Sequence, residues 1–327
     1  MLAIASRQRR RLLLATSVLA AAALAGPALA QSAWPTKPVR ILVGFPGGST
    51  PDLAARALAE TLAKSLGQPV VVENKPGASG NIAADQVAKA TDDHTLGVVI
   101  NGNLTSARLL NPKLAYDPAT DFSFVSLLAT APLVLVAPPD LPSGAEFFAA
   151  ARAAAGKWSY GSVGIGSVGH LGMEYVKAQA GNFEAVHVPY NGNPAVITAI
   201  IGGQIQAALM PPGIALPQVK AGKLKAIGLT GPRSTMAPDT PSLAELGVKM
   251  DALEVWVAMV GPASLSAAAK DRLAREVPAA VNGESRERLL AAGWQGVGSD
   301  AAGLRQRVAR ETEILGGIIR SRGIKVE

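Results

Sequence analysis

The sequence predicts an α/β protein of two lobes, each built on a mostly parallel sheet, and three observations carry that expectation. From Val39 to Ile100, short β-branched runs alternate with stretches of helical periodicity, the pattern of successive βα units. A strand, a glycine loop and a helix occur at 39–66 and again at 158–180. The chain of 327 residues exceeds what one compact core usually takes. Within it, Phe122 to Ala137 is almost wholly apolar and too long for one ordinary strand. It reads as a strand crossing from the first lobe to the second, with Pro132 at the crossing.

Val39, Ile41, Leu42 and Val43 make the first strand, which stops at Gly44-Phe45-Pro46-Gly47-Gly48-Ser49. Thr50 is expected to cap the helix that follows, Pro51 to take its first position and Asp52 to add negative charge to its first turn. Leu53, Ala57, Leu58, Leu62 and Leu66 recur at helical spacing until Gly67 and Pro69 end the helix. Val70 to Glu73 reads as a second strand, Ile82 to Ala90 as a helix capped by Asn81, and Thr95 to Ile100 as a third strand opening into Asn101-Gly102-Asn103. In the second lobe, Trp158 to Ser162 leads through Val163-Gly164-Ile165-Gly166-Ser167-Val168-Gly169 into a helix from His170 to about Ala180. Val186–Tyr190, Ile205–Met210 and Lys223–Thr230 read as strands and Pro194–Ile201 as a helix. Glu254 to Val260 returns to the first lobe, and helical stretches at 267–292 and 301–322 close the chain. The expected division is a leader at 1–30, a first lobe at 31–131 plus 254–327, and a second lobe at 132–253.

The leader is expected because Arg7, Arg9, Arg10 and Arg11 precede the apolar run Leu12–Ala25, and Ala28-Leu29-Ala30 is a small-residue cleavage site. The arginine order also fits a twin-arginine signal, and both export routes stay open. Removing 1–30 takes four of the 31 Lys and Arg and none of the 24 Asp and Glu, so a net charge of +7 falls to +3. With aromatics at 4% and no basic run interleaved with them, nucleic-acid binding has no support. The chain has no cysteine, which excludes a disulfide framework and a thiolate metal site.

Enzyme chemistry finds little footing. Gly164-x-Gly166-x-x-Gly169 has the form of a dinucleotide fingerprint, but the acid twenty residues on, Glu184, precedes its strand instead of ending it. Neither Ser162 nor Ser167 lies in a Gly-x-Ser-x-Gly elbow. His94, His170 and His187 show no metal-ligand spacing, and His170 suits either a capping role or a ligand contact. Two glycine loops remain, each feeding a helix start, with no Lys or Arg at 44–51 or 161–169. An anion held there would rely on backbone N–H groups, on the helix termini and on Ser49, Thr50, Ser162 and Ser167.

Along nearly the whole length after the leader, the chain resembles the Bug-type extracytoplasmic solute-binding receptors of tripartite tricarboxylate transporters. The matching stretches begin with Trp34-Pro35-x-Lys37-Pro38-x-Arg40, the Phe45-Pro46 loop ending at Asp52, and Gly67-Gln68-Pro69-Val70-Val71-Val72-Glu73-Asn74-Lys75-Pro76-Gly77. Tyr116-Asp117-Pro118, Asp121-Phe122, Tyr160-Gly161-Ser162, Gly166-Ser167-x-x-His170-Leu171 and His187-Val188-Pro189-Tyr190 continue the order. Gly202-Gly203-Gln204 and Ala221-Gly222-Lys223-Leu224 complete it.

That resemblance implies a two-lobed periplasmic binding protein of the type II-like, Venus-flytrap kind. Such a receptor captures a small organic acid, typically a di- or tricarboxylate, and passes it to integral-membrane permease subunits. It implies no cofactor and no metal, and a monomer. Taken with the reading of the loops and strand edges above, the expected ligand-binding residues are Phe45, Pro46, Gly47, Gly48, Ser49, Thr50 and Asp52 in the first loop, with Asn101 and Asn103 at the carboxyl edge of the third strand. In the second lobe they are Ser162, Val163, Gly164, Ile165, Gly166, Ser167, His170 and Tyr190. The chain departs from the common pattern where Ser49 replaces a Gly, Pro51 a Thr, Asn191 a Lys and Gln206 an Asp, so the pocket loses one cation and one anion. A periplasmic enzyme using the same cleft and a ligand-binding sensor for a signalling protein are the alternatives.

Overall fold

The structure, a computed structural model, describes residues 34–325, so the leader at 1–30 lies outside the described residues. The first half of the chain carries β1 (Val39–Val43), α1 (Thr50–Leu66), β2 (Val70–Asn74), a 3-10 turn (Ala78–Gly80), α2 (Asn81–Ala88), β3 (Thr95–Ile100), α3 (Asn101–Leu104), α4 (Ser106–Leu110), β4 (Phe122–Pro132), β5 (Val134–Ala137) and α5 (Gly144–Ala153). There follow β6 (Trp158–Ser162), α6 (Val168–Gln179), β7 (Ala185–Pro189), α7 (Asn193–Ile201), β8 (Ala207–Met210), α8 (Pro212–Lys220), β9 (Lys225–Leu229), β10 (Glu254–Pro262), α9 (Ala267–Asn282), α10 (Arg286–Ala291), β11 (Gln295–Gly296) and α11 (Ala301–Arg322).

The strands form two sheets, a six-stranded one ordered β11-β4-β10-β3-β1-β2 and a five-stranded one ordered β7-β6-β8-β5-β9. β4 and β5 are separated only by Leu133, yet they belong to different sheets, so the long apolar run does carry the chain across. β10 brings it back, pairing with both β3 and β4. Leu133 and Val255 sit buried at these two crossings, and the largest apolar core runs from Ile41 and Leu58 on one side through Leu133 to Tyr160 and Leu171 on the other.

Each sheet is mixed, where the sequence led to the expectation of mostly parallel ones. β1 pairs in parallel with β2 and β3, and β6 with β7 and β8, because each of these strands is joined to the next by a helix. The crossing strands β4, β5 and β10 enter from the other direction, and every pair they make is antiparallel. The parallel halves hold the two glycine loops at their carboxyl edges.

Local differences have local causes. The N-cap of α1 is Ser49, in extended conformation, and Thr50 is the first helical residue, its hydroxyl accepting from Asn193. Gly80, at φ +88, caps α2, while the Asn81 side chain accepts from Tyr116 and Asn103. Asn101 to Asn103 form a helical turn and not an open loop, held where Asn103 Oδ1 accepts the Ile100 N–H at 3.2 Å. α6 begins two residues before His170, at Val168, capped by Ser167. Helices α4, α5 and α8 add to the expected set; α8 opens at Pro212 in a Pro-Pro-Gly stretch that reads locally as a turn.

Candidate functional site

The two glycine loops converge. One cleft is lined from the six-stranded side by Phe45, Ser49, Thr50, Pro51, Asn101 and Trp294, and from the five-stranded side by Val163, Ser167, Val168, Gly169, Gly192, Asn193 and Pro211. The start of α1 thus faces the start of α6, two positively polarised termini from different sheets. No lining side chain is charged, and the free volume of the cleft is about 40 Å³.

Contacts across the cleft hold it nearly shut. Asn193 Nδ2 donates to Thr50 Oγ1 at 2.7 Å, and Ser106 Oγ donates to the Gly166 carbonyl at 2.6 Å, both within buried surroundings. Gly164, at φ +132, packs so tightly on the strained 3-10 turn that a Cβ on it would lie 2.0 Å from Ser79 Oγ. Ser79 itself has φ +55.

Behind the first loop, Asp52 is buried and holds the backbone in place. Its carboxylate accepts from the Gly48 N–H at 2.9 Å, from Arg56 Nε at 3.0 Å and from Asn74 Nδ2 at 2.9 Å. Burial raises its pKa, but Arg56, Asn74 and Gly48 together pull it below the usual carboxylate range. The Ser49 carbonyl accepts the Leu53 N–H at 2.9 Å, but the Ser49 side chain makes no capping bond to the first turn of α1. Its Oγ is buried with no hydrogen-bond partner.

Behind the second loop lies a stack of rings. His170 and His187 overlap with centroids 3.9 Å apart and planes 14° from parallel, and Tyr160 stacks on His187 at 5.0 Å. The Gly166 N–H donates to His170 Nδ1 at 3.1 Å, so the proton of the neutral ring sits on Nε2. His187 Nε2 lies 2.7 Å from Ser162 Oγ, which in turn accepts the Gly164 N–H at 3.1 Å. Burial pushes His170 down to about 4, and burial with the neighbouring His170 pushes His187 down to about 3. Both rings are therefore neutral supports for the loop. Beneath them, Tyr160 Oη donates to Glu174 at 2.6 Å, and Glu174 pairs with Lys177 at 2.6 Å.

Of the residues expected from the sequence, Phe45, Ser49, Thr50, Asn101, Val163 and Ser167 line the cleft. Asp52, Ser162 and His170 stand behind the loops, Gly166 turns its N–H to His170 and its carbonyl to Ser106 across the cleft, and Asn103 ties Ile100, Asn81 and the Ser79 carbonyl together. Gly47 and Gly48 are exposed and Pro46 is half-buried, with Pro46 packed toward Gly192. Gly164, Ile165 and Tyr190 line a second hollow of about 390 Å³ together with Ser79, Asn191 and, shared with the cleft, Val163.

Sequence reasoning missed Asn193, Pro211 and Trp294. Asn193 opens α7 immediately after β7, so the rule that led to the two glycine loops, a helix start at the carboxyl edge of a parallel strand, also points to it. Trp294 carries no such signal; its indole N–H donates to the Thr50 carbonyl at 3.2 Å from 244 residues away.

Asn101 has a further partner that local sequence does not show. Its Nδ2 donates to Glu311 Oε1 at 2.6 Å, while Glu311 Oε2 accepts from Trp256 Nε1 at 2.6 Å and from Arg307 Nε at 3.3 Å. Burial raises the pKa of Glu311, opposed by these same three donors.

Comparison with known proteins agrees with this architecture. A family model described as the tripartite tricarboxylate transporter family receptor matches residues 54–324. Protein BugT of Bordetella pertussis is 31% identical over 316 residues, covering 94% of this chain and 96% of BugT. Among solved structures, the periplasmic binding protein BugD superposes with a TM-score of 0.83 at 27% identity, covering 90% of this chain and 100% of BugD. A protein of R. palustris with adipate superposes with a TM-score of 0.85 at 29% identity, covering 89% and 99% of the two chains. MatC from Rhodopseudomonas palustris, with bound malate, superposes with a TM-score of 0.80 at 28% identity, covering 88% and 100%.

Proposed function

The chain belongs to the tripartite tricarboxylate transporter receptor family, and on that premise we propose that it is an exported receptor that closes its two lobes on a small organic acid and delivers it to a membrane permease. The observation that carries this reading is the meeting of two helix N-termini from different sheets in one cleft without a charged side chain. Orphan N–H groups in the first turns of α1 and α6 supply the donors, and the helix dipoles supply the sign of the field. Micromolar affinity needs about 8 kcal/mol. Charge-assisted hydrogen bonds contribute about 1.5–3 kcal/mol each, so four to six of them suffice after association costs of several kcal/mol.

Neighbours whose structures hold malate and adipate support the carboxylate. Pockets for small ligands span about 300–1,000 Å³, so a cleft of about 40 Å³ has to open for the acid to enter, and the Asn193–Thr50 and Ser106–Gly166 contacts are then made and broken in each cycle. No turnover is assigned: the histidines are neutral braces, and Ser162 touches its own loop and His187.

A thermal melt of the mature protein against a broad panel of mono-, di- and tricarboxylates tests the reading. At least one acid is expected to raise the melting temperature, and Gly164→Glu to abolish that rise while the variant still melts cooperatively. A melting temperature unmoved across the panel overturns it.

A further inference from the structure

We propose that this cleft selects acids that carry a hydrogen-bond donor beside the carboxylate, namely hydroxy or amino acids, over their plain-chain counterparts. The proposal rests on the reading that the cleft takes a carboxylate, and it concerns the side of the cleft that the helix termini do not serve.

Asn101 lines the cleft with no exposed surface at all. One end of its amide is committed: Nδ2 meets Glu311 Oε1 at 2.6 Å and the Glu254 carbonyl at 3.4 Å. Glu311, paired with Arg307 at 3.3 Å, accepts as a carboxylate, and the Glu254 carbonyl only accepts, so the nitrogen faces them, held chiefly by the short bond to Glu311. The other end, Oδ1, is buried and has no hydrogen-bond partner. Glu311 is held in turn by the indole N–H of Trp256 and by Arg307, both on Oε2. It is a positioning residue, acting on the ligand through Asn101.

A buried acceptor without a donor costs free energy, and what fills the space beside it decides whether that cost remains. A second carboxylate oxygen set against Oδ1 would be repelled, and a methylene would leave it unsatisfied. A hydroxyl or an ammonium group satisfies it. The Ser49 hydroxyl, also buried and unpartnered in the same cleft, adds a group able to accept or donate. The cleft is thus polarised, with N–H donors at the helix starts and a fixed acceptor at Asn101. From the usual cost of an unpaired buried acceptor, the plain-chain acid is expected to bind roughly 5- to 150-fold more weakly than its donor-bearing partner.

Isothermal titration of the mature protein with matched pairs tests this: L-malate against succinate, L-lactate against propionate, and L-aspartate against succinate. At least one pair is expected to show the stated preference for the donor-bearing member. A preference under fivefold in every pair, a preference for the plain chain, or binding by other acids of the panel but by none of these overturns the proposal and leaves the carboxylate reading standing. Binding by none of these acids, nor by any acid of the broader panel, overturns both. Glu311→Gln supplies a second arm. Trp256 and Arg307 hold the glutamine oxygen on their side, so its amide nitrogen faces Asn101; this short contact outweighs the 3.4 Å one to the Glu254 carbonyl, and the Asn101 amide turns over and presents N–H to the cleft. The preference is then expected to vanish or invert in a variant that still melts cooperatively. A preference unchanged in folded Glu311→Gln overturns the assignment to Asn101, and a Glu311→Gln protein that does not fold leaves the wild-type pairs to decide.

Discussion

Replacing Gly164 by alanine separates the cost of closing the cleft from the cost of folding the loop. At φ +132 the residue sits where side chains strain the backbone, and that strain, about 1–3 kcal/mol, burdens the open and closed forms alike. The clash does not. The new Cβ would lie 2.0 Å from Ser79 Oγ and 2.9 Å from Ser79 Cβ, atoms on the far side of the cleft that recede when the lobes part. Overpacking of this kind costs about 1–3 kcal/mol, which appears as a roughly 5- to 150-fold loss of ligand affinity. Ser79→Gly removes both clashing atoms, leaving Cα at 3.4 Å, and its φ of +55 suits glycine. The Gly164→Ala/Ser79→Gly double variant is therefore expected to regain most of the affinity while keeping the lower melting temperature. Titration calorimetry with the tightest acid of the panel and a thermal melt read the two quantities separately. Wild-type affinity in Gly164→Ala, or no recovery in the double variant, refutes the latch.

The stacked histidines give a pH dependence of defined sign. Both have folded pKa values lowered below the ordinary 6.5, to about 4 and about 3, so the folded protein binds fewer protons than the unfolded chain over that interval. Their contribution is complete above pH 6.5 and is lost as pH falls toward 4, then 3; a melting temperature flat between pH 7 and 4 contradicts it. His187→Asn, which keeps a hydrogen-bonding group near Ser162, is expected to flatten the slope in that window. Asp52→Ala strips the acceptor from Gly48, Arg56 and Asn74. It is expected to lower stability at neutral pH by about 1.5–3 kcal/mol, read by urea unfolding, with an unchanged midpoint counting against the bracing role.

What sequence alone made visible follows from how local each signal is. β1 announces itself because a β-branched run ends abruptly at Gly44, β3 because a similar run ends at Asn101-Gly102, and β6 because two aromatics lead into a glycine loop; residues of all three following segments line the cleft. The crossing at Leu133 was legible because sixteen nearly apolar residues, 122–137, fit neither one strand nor one helix. The mixed sheets were not, since nothing within a strand reports its direction relative to partners a hundred residues away. Glu311 shows the limit most sharply. In sequence it is one charge among many on a long terminal helix, the usual mark of a solvated face, and only the pairing with Asn101 across 210 residues reveals it as a buried brace of the cleft. Asn101 itself was expected at the site, but as a loop residue, without its amide orientation.

A cleft without cations makes closure a condition of affinity. A lysine carries a full charge that holds an anion on one open lobe, whereas the field of a helix terminus fades within its first turn, and an orphan N–H is felt only at hydrogen-bond distance. The starts of α1 and α6 belong to different sheets, so both reach one ligand only when the lobes meet. Each lobe alone offers about half the contacts that micromolar binding needs, and the remainder arrives with the motion. Under the proposed function, bound acid and closed lobes become one state, a shape by which the proposed permease would distinguish a loaded receptor from an empty one. The Asn193–Thr50 hydrogen bond, formed across the closing surfaces next to the cleft, couples that shape to the first turn of α1, where the acid is proposed to sit.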